Sequence, residues 1–320
     1  MTQQELDALA AAVRDAPGLD GKRDLDVVAG LDAGIDGDDG ALVGLGDAAR
    51  DGEQLVVCGE AIAPSFLAAD PFAAGAAAVV TNVSDVRAMG GRPLAIVDML
   101  VSPDRAHAER VLGGLRWASQ LLGVPVVGGH TTIGHAAALS ASCTGIVRAP
   151  LRAAAARPGD VLLAAFALEG RYANDTSFFF SSLRDRPAQA LGSDGDALVE
   201  VAEAGLCHAA RDVSMPGAAG SLLQLVEVAG CGAVLDVERL PRPGGVPLER
   251  WLLTFPSFGF LLAAPAERVG EACAAFTRRG LACAPCGAFE AGGVLRLASG
   301  ELTADVWNLA HEPLTRLTAT

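Results

Sequence analysis

Lysine is almost missing from this sequence: of 24 basic residues in 320, Lys22 is the one lysine and the rest are arginine. A bias of this kind reflects codon usage. A lysine that survives it is either chance or a place where a compact ammonium serves and a planar guanidinium does not. No Lys/Arg run occurs and the formal net charge is −14, which excludes a nucleic-acid or anionic-membrane binder built on a basic patch. A polyanionic small molecule would have to be held through divalent cations and backbone N–H groups. Aromatic residues make up 5% of the chain against 51% hydrophobic residues, so its cores are built from Ala, Val and Leu. Long apolar runs are absent as well. Stretches such as "VLLAAFAL" at 161–168 fall far short of the ~20 residues that span a bilayer. The opening "MTQQELDALAAAVRDAPG" has no apolar core of the secretory type, and a soluble cytoplasmic protein is expected. Seven cysteines, an odd number scattered over a long chain, argue for reduced thiols and against a disulfide framework. Cys283 and Cys286 have CxxC spacing without a second pair, a weak zinc signal.

What is present organises the chain as two domains. "EQLVVCGE" (53–60), "PLAIVDMLV" (93–101), "VPVVGG", "AALSASCTGIV", "VLLAAF", "GAVLDV", "GFLLAAP", "LACAPCGAF" and "GVLRLA" predict strands. Helices are predicted over 70–91, opened by Asp-Pro and closed by Gly-Gly, and over 103–123, 194–206, 216–229 and 266–280. "RAAAARPGDVLLAAF" reads as the link into the second domain, and the Pro-rich 241–257 as a loop. Mixed strands and helices, with some strands adjacent, predict α+β or mixed α/β halves and not one doubly wound sheet.

Four acidic or polar stretches stand out: "DGDDGA" (36–41), "CGE" (58–60), "TNVSDVRAMGG" (81–91) and "RDVSMPG" (211–217). A hard cation such as Mg²⁺ takes oxygen ligands, with one or two carboxylates completed by substrate phosphates. Small neighbours let phosphate oxygens approach the backbone. An EF-hand starting at Asp32 is excluded, because Val43 stands where its bidentate Glu belongs. "VVGGHTT" (126–132) predicts a strand running into a glycine nest able to cradle phosphate. No GxxxxGK[ST], no GxGxxG after a strand and no HExxH is present, and Ser142, Ser177 and Ser257 lack a nucleophile elbow.

Taken in order, these stretches resemble the AIR synthase superfamily, which groups aminoimidazole ribonucleotide synthetase, thiamine-monophosphate kinase, selenophosphate synthetase and a hydrogenase maturation protein. The resemblance covers about 18–300. "DDGALV" is similar to its Asp-Asp-Ala-Ala-Val loop, "DPFAAGAAAVVTNVSDVRAMGGRPL" to its Mg-binding helix, and "GGHTT" with "TGIV" to its nucleotide loop. "RDVSMPGAAG" is similar to the element opening the second domain's helix. Gly128-Gly129-His130, the Asp-Pro-Phe start and the Ala-Met-Gly-Gly end lean toward selenophosphate synthetase. Gly18-Leu19-Asp20-Gly21-Lys22 resembles its Gly-Cys-Gly-x-Lys element. There are departures. Leu19 replaces the selenium-handling Cys, and a later family lysine is Ala or Phe near "AAFALEGR". The closing "RLTAT" has no cysteine, and Pro256-Ser257-Phe258-Gly259 replaces Gly-Glu-Asp-Tyr of thiamine-monophosphate kinase.

The resemblance implies a two-domain α/β (α+β) fold. Its parts would be an N-terminal segment (1–30), an ATP- and Mg-binding domain (31–151), a C-terminal α/β domain (152–305) and a tail (306–320). The N-terminal domains would pair through their sheets in a homodimer, with ATP near that interface. Asp39, Glu60, Asp85 and Asp212 would hold Mg²⁺, Glu60 being one methylene longer than the family's Asp. Asp38, Asn82, Gly128, Gly129, His130 and Thr131 would line the nucleotide, and Lys22 would neutralise the transferred phosphoryl group. The activity implied is ATP-dependent phosphoryl transfer to, or activation of, a small molecule whose identity the motifs do not carry. The alternatives are a non-catalytic nucleotide-binding or scaffold paralogue, and a selenophosphate synthetase-like or thiamine-monophosphate kinase-like enzyme.

Overall fold

The helix-end signals read from the sequence are the ones used. In the computed structural model, which describes residues 1–31, 37–50, 52–175 and 177–317, Asp70 accepts from the Ala73 amide and Pro71 follows in the first turn. Gly123 closes its helix in the left-handed conformation. Thr2 and Glu5, a pair the sequence reading did not single out, form a reciprocal capping box. The elements run α1 (Gln3–Arg14), α2 (Pro17–Arg23), β1 (Ala41–Gly44), β2 (Gln54–Ala61), α3 (Pro64–Ala69), α4 (Pro71–Ala88), β3 (Arg92–Ser102), α5 (Arg105–Leu122), β4 (Val126–Ile133) and β5 (Ala138–Val147). They continue with β6 (Val161–Phe166), β7 (Arg171–Tyr172), β8 (Phe179–Ser181), α6 (Ala188–Ser193), α7 (Asp196–Glu203), β9 (Ala209–Asp212), α8 (Gly217–Ala229) and β10 (Gly232–Asp236). Last come α9 (Leu248–Leu252), β11 (Phe255–Pro256), β12 (Gly259–Ala264), α10 (Val269–Thr277), β13 (Ala282–Glu290), β14 (Val294–Ser299) and β15 (Leu302–Asn308). The mixed α/β class expected from the sequence is the class observed.

Two compact units form, and they interleave along the chain: 39–148 with 186–199, and 1–38 with 149–185 and 200–320. The first holds a five-stranded sheet in the order β1-β2-β5-β3-β4. Its strands alternate. Ile96, Leu100 and Ser102 of β3 are buried while Val97, Met99 and Val101 point away and are exposed. α4 is apolar and buried on nearly every side, and it packs against both the sheet and α5. The two helices approach so closely that a Cβ on Gly75 would stand 2.1 Å from the Val111 carbonyl oxygen, and one on Gly114 2.0 Å from that of Phe72.

The second unit holds a seven-stranded mixed sheet, β15-β14-β10-β13-β6-β12-β9, and a small one, β11-β8-β7. Its interior strand β6 is covered on both faces and reads as a continuous apolar run. Leu6, Leu9 and Val13 of α1 join Leu222, Leu223 and Val226 of α8 in its main core. Two expectations are corrected here. Residues 241–257 are not all loop: Pro247 starts α9, which buries Trp251 edge-on against Phe166 and Phe180 at 5.2 and 5.3 Å. The segment from 306 is not all tail: β15 pairs with β14 across residues 302–308 and so runs past 305, using the alternation of Leu302, Ala304 and Val306.

Candidate functional site

Asn82 and Asp85 lie three residues apart on α4 and so share one face of it. Both are buried. Asn82 donates its side-chain amide to the Ala78 carbonyl at 2.8 Å, which fixes the rotamer. Cys58 on β2 stands opposite. Its thiol is 3.4 Å from the Asn82 carbonyl and 3.6 Å from Oδ1. The thiol reports the local field. Burial pushes its pKa up, and the negative charges of Asp85 and Glu60 push it further. Cys143, directly across from Cys58 in the β2–β5 ladder, is raised to about 12 by burial and then by Asp85. Asn82 thus touches the Cys58 thiol, and the charges of Asp85 and, more weakly, Glu60 reach it, a negative potential that a divalent cation fits. Among the described residues, no three His, Cys, Asp or Glu side chains are placed to hold a metal by themselves.

The strand register adds a residue that sequence reasoning missed. Glu60 pairs with Ala141, Ala141 with Asp98, and Asp98 with Gly129, one row across β2, β5, β3 and β4. Paired residues share a face, so the Asp98 carboxylate points to the helix-covered side, as Glu60 does. It is 5% exposed, and its Oδ2 has no hydrogen-bond partner among the described residues. Desolvation raises its pKa. Gly129 is required there, because a Cβ would stand 2.1 Å from the Asp98 carbonyl oxygen and 2.7 Å from Oδ1. An Asp inside "AIVDMLV" was the available signal.

The glycine nest expected at Gly128-Gly129 is not formed. Both glycines lie within β4, paired with β3, and β4 is the edge strand of its sheet. Successive N–H groups of a strand point to opposite sides, whereas a nest needs them to converge. The pleat also separates the residues. Gly129 and Thr131 pair with Asp98 and Leu100 on the covered face, while Gly128 and His130 pair with Val97 and Met99 on the uncovered one. There His130 Nε2 lies 3.1 Å from the Thr132 hydroxyl.

The other unit carries Lys22, Asp38 and Asp212. Lys22 sits in the last turn of α2, half-buried. Neighbouring Leu19, where the related element has Cys, is fully buried and faces Gly220 of α8. Gly18 lies against the Met215 carbonyl, so α2 is docked on the turn following Asp212, itself buried at the end of β9. Asp38 works structurally: its carboxylate accepts from the Ala153 amide at 2.7 Å and from Arg152 Nε at 3.5 Å. Asp39 belongs to the first unit, in the half-buried turn before β1. Asp32 and Asp36 of the same acidic loop lie outside the described residues. The CxxC pair does not act as a unit. Cys283 contacts Cys273 at 3.6 Å, and all seven cysteines are free. Ser257 is structural, its hydroxyl accepting from the Ser182 amide at 2.9 Å.

Comparison with known proteins gives these features a context. The family models for the N-terminal and C-terminal domains of AIR synthase related protein match residues 37–147 and 188–299. An uncharacterised protein of Synechocystis sp. is 36% identical over 289 residues, 87% of this chain and 89% of its own. The selenide, water dikinase of Myxococcus xanthus is 31% identical over 188 residues, 56% of this chain and 53% of its own. In structure, T. maritima PurL complexed with ATP superposes with a TM-score of 0.69 at 22% identity, over 83% of this chain and 45% of that one. AaThiL complexed with AMPPCP and TMP superposes at 0.65 and 20% identity, over 88% of this chain and 94% of that one. The chain thus spans just under half of the PurL chain and nearly all of the ThiL chain; at these identities the likeness is one of fold.

Proposed function

This chain belongs to the AIR synthase-related family, and on that premise we propose that it is an ATP- and Mg²⁺-dependent enzyme that transfers a phosphoryl group to, or activates, a small molecule. The observation that carries this is the contact of Asn82 with Cys58, a thiol that feels the charges of Asp85 and Glu60, inside the segment matched by the family's N-terminal domain. The negative potential felt by that thiol suits a cation better than any neutral ligand. Solved relatives of the same fold hold ATP, or AMPPCP with TMP.

In the first unit the oxygen donors for Mg²⁺ are Asp39, Glu60 and Asp85. In the second, Asp212 is the carboxylate and Lys22 the point charge offered to the phosphoryl group. When bound, Mg²⁺ supplies charge neutralisation on phosphate oxygens, which is most of what phosphoryl transfer asks of a protein. Asn82, with its amide held by Ala78 and its Oδ1 facing the Cys58 thiol, supports the stretch of α4 that carries Asp85 beneath the proposed nucleotide site. The buried Leu19 offers packing and no thiol chemistry, which favours an acceptor other than selenide. The uncovered sheet face, with Val43, Met99, Val97 and Val101 exposed, supports a homodimer formed through that sheet.

Titration calorimetry with ATP tests the proposal, with and without Mg²⁺, on the wild type and Asp85→Asn. Mg²⁺-dependent binding that the variant loses supports it; binding unchanged in Asp85→Asn removes the metal assignment. Absence of any nucleotide binding favours the non-catalytic scaffold reading and turns the search to protein partners.

A further inference from the structure

Arg87 follows Asp85 by two residues on α4 and points elsewhere. It is 6% exposed and lines a cavity of about 170 Å³, together with Arg92, Asp196, Gly195 and the closing turn of α5 at Gly123. Its Nη2 reaches the carbonyls of Gly192 and Leu191 at 3.3 and 3.5 Å, long for a charged donor. Asp194 and Asp196 act on it through their charge, and its hydrogen bonds to those two carbonyls both run through Nη2. Asp194, the nearest candidate in sequence, is committed to Arg186 by two bonds of 2.8 Å. The backbone is shaped around the guanidinium, since a Cβ on Gly195 would fall 2.0 Å from Arg87 Nε.

A buried guanidinium held by long hydrogen bonds is costly unless something else accepts from it. Burial lowers its pKa, and Asp194 and Asp196 offset that only in part. The cavity is more than ten times the ~10–15 Å³ that one water needs, enough for a tetrahedral oxyanion. Arg92 adds a second guanidinium at the rim, and Asp196 also lines the cavity. Forked guanidinium donors match phosphate geometry. We propose that the cavity lined by Arg87 and Arg92 is a binding site for a phosphate-class oxyanion, either the free ion or the phosphate group of a small metabolite, on the face of α4 away from Asp85. Its position two residues beyond Asp85 makes α4 the element through which an occupant would act on the candidate metal site.

The test is calorimetry on metal-free, nucleotide-free protein at constant ionic strength, with inorganic phosphate, sulfate and ribose 5-phosphate as probes and chloride as control. One saturable site per chain is expected, weakened at least about tenfold by Arg87→Lys and by Arg92→Gln, tightened by Asp196→Asn and unchanged by Asp85→Asn. Tighter binding of ribose 5-phosphate than of phosphate identifies an organic phosphate; the reverse identifies the free ion; either supports the site. Arg92 is at the surface, so its variant remains informative if Arg87→Lys does not fold. No saturable binding, a response equal to chloride, or full binding in Arg92→Gln overturns the proposal. Loss of binding in Asp85→Asn also overturns it, by placing the anion at the nucleotide site. Failure of ATP to bind in the earlier experiment leaves this result independent.

Discussion

A single buried carboxylate can be read through its pH dependence. Asp98 has one oxygen without a partner, and desolvation raises its pKa above the usual 3.8. The folded protein therefore holds the Asp98 proton more tightly than the unfolded chain does. Stability from this group is fully present below about pH 3.8 and is lost as pH rises through the folded value. Asp98→Asn keeps the shape and removes the charge. Its thermal midpoint is expected above wild type at pH 8, with the gain shrinking toward pH 4; an equal gain at both pH values would show that charge is not the cause. Asp85 differs, because its charge is the proposed function. Asp85→Asn is expected to remove Mg²⁺-dependent ATP binding while leaving the fold intact.

At the level of elements, the pair α4 and α5 is held by absent side chains. Gly75 and Gly114 let each helix approach the other's carbonyls, and Phe72 then meets Trp117 with ring centroids 5.7 Å apart. Gly114→Ala is expected to destabilise by about 1–3 kcal/mol through overpacking, read as a lower urea midpoint with an unchanged m-value. The same replacement at Gly113, where the nearest atom to a new Cβ is 3.7 Å away on the Phe72 ring, is expected to be close to neutral or slightly stabilising. Since α4 carries Asn82, Asp85 and Arg87, a shift in its packing reaches these three residues of the proposed sites.

For the whole molecule, the sheet of the first unit has one face under helices and one face bare. The bare face carries Val43, Val97, Met99 and Val101, while the whole chain bears a charge of −14. Exposed apolar side chains on one sheet face of so acidic a protein suit a second copy of itself on the homodimer reading, since a two-fold pairing buries the same face on both. On the homodimer reading, Met99→Asp is expected to yield a monomer in light scattering with the far-ultraviolet spectrum unchanged. A wild type that runs as a monomer at all concentrations would remove that reading.

Much of this was legible in the residues. Asp70-Pro71, Thr2 with Glu5, and Gly123 end helices by local hydrogen bonding and local dihedral freedom, so their effect survives in a bare sequence. Asn82 and Asp85 shared a helical face by spacing alone. β15 was written in alternating apolar residues but hidden by its place after 300, and α9 was hidden among prolines. The tertiary structure decided what depends on register and on distant packing. Glu60, Asp98 and Gly129 fall in one row only because β2, β5, β3 and β4 pair as they do. Gly128 and His130 part from Gly129 and Thr131 because β4 continues as a pleated strand where a loop was expected. Residues 186–199 fold with the first unit, and 1–38 with the second, because their apolar faces find partners far along the chain. Local chemistry is encoded within a few residues; neighbours brought together across the chain exist only once the long-range contacts have formed.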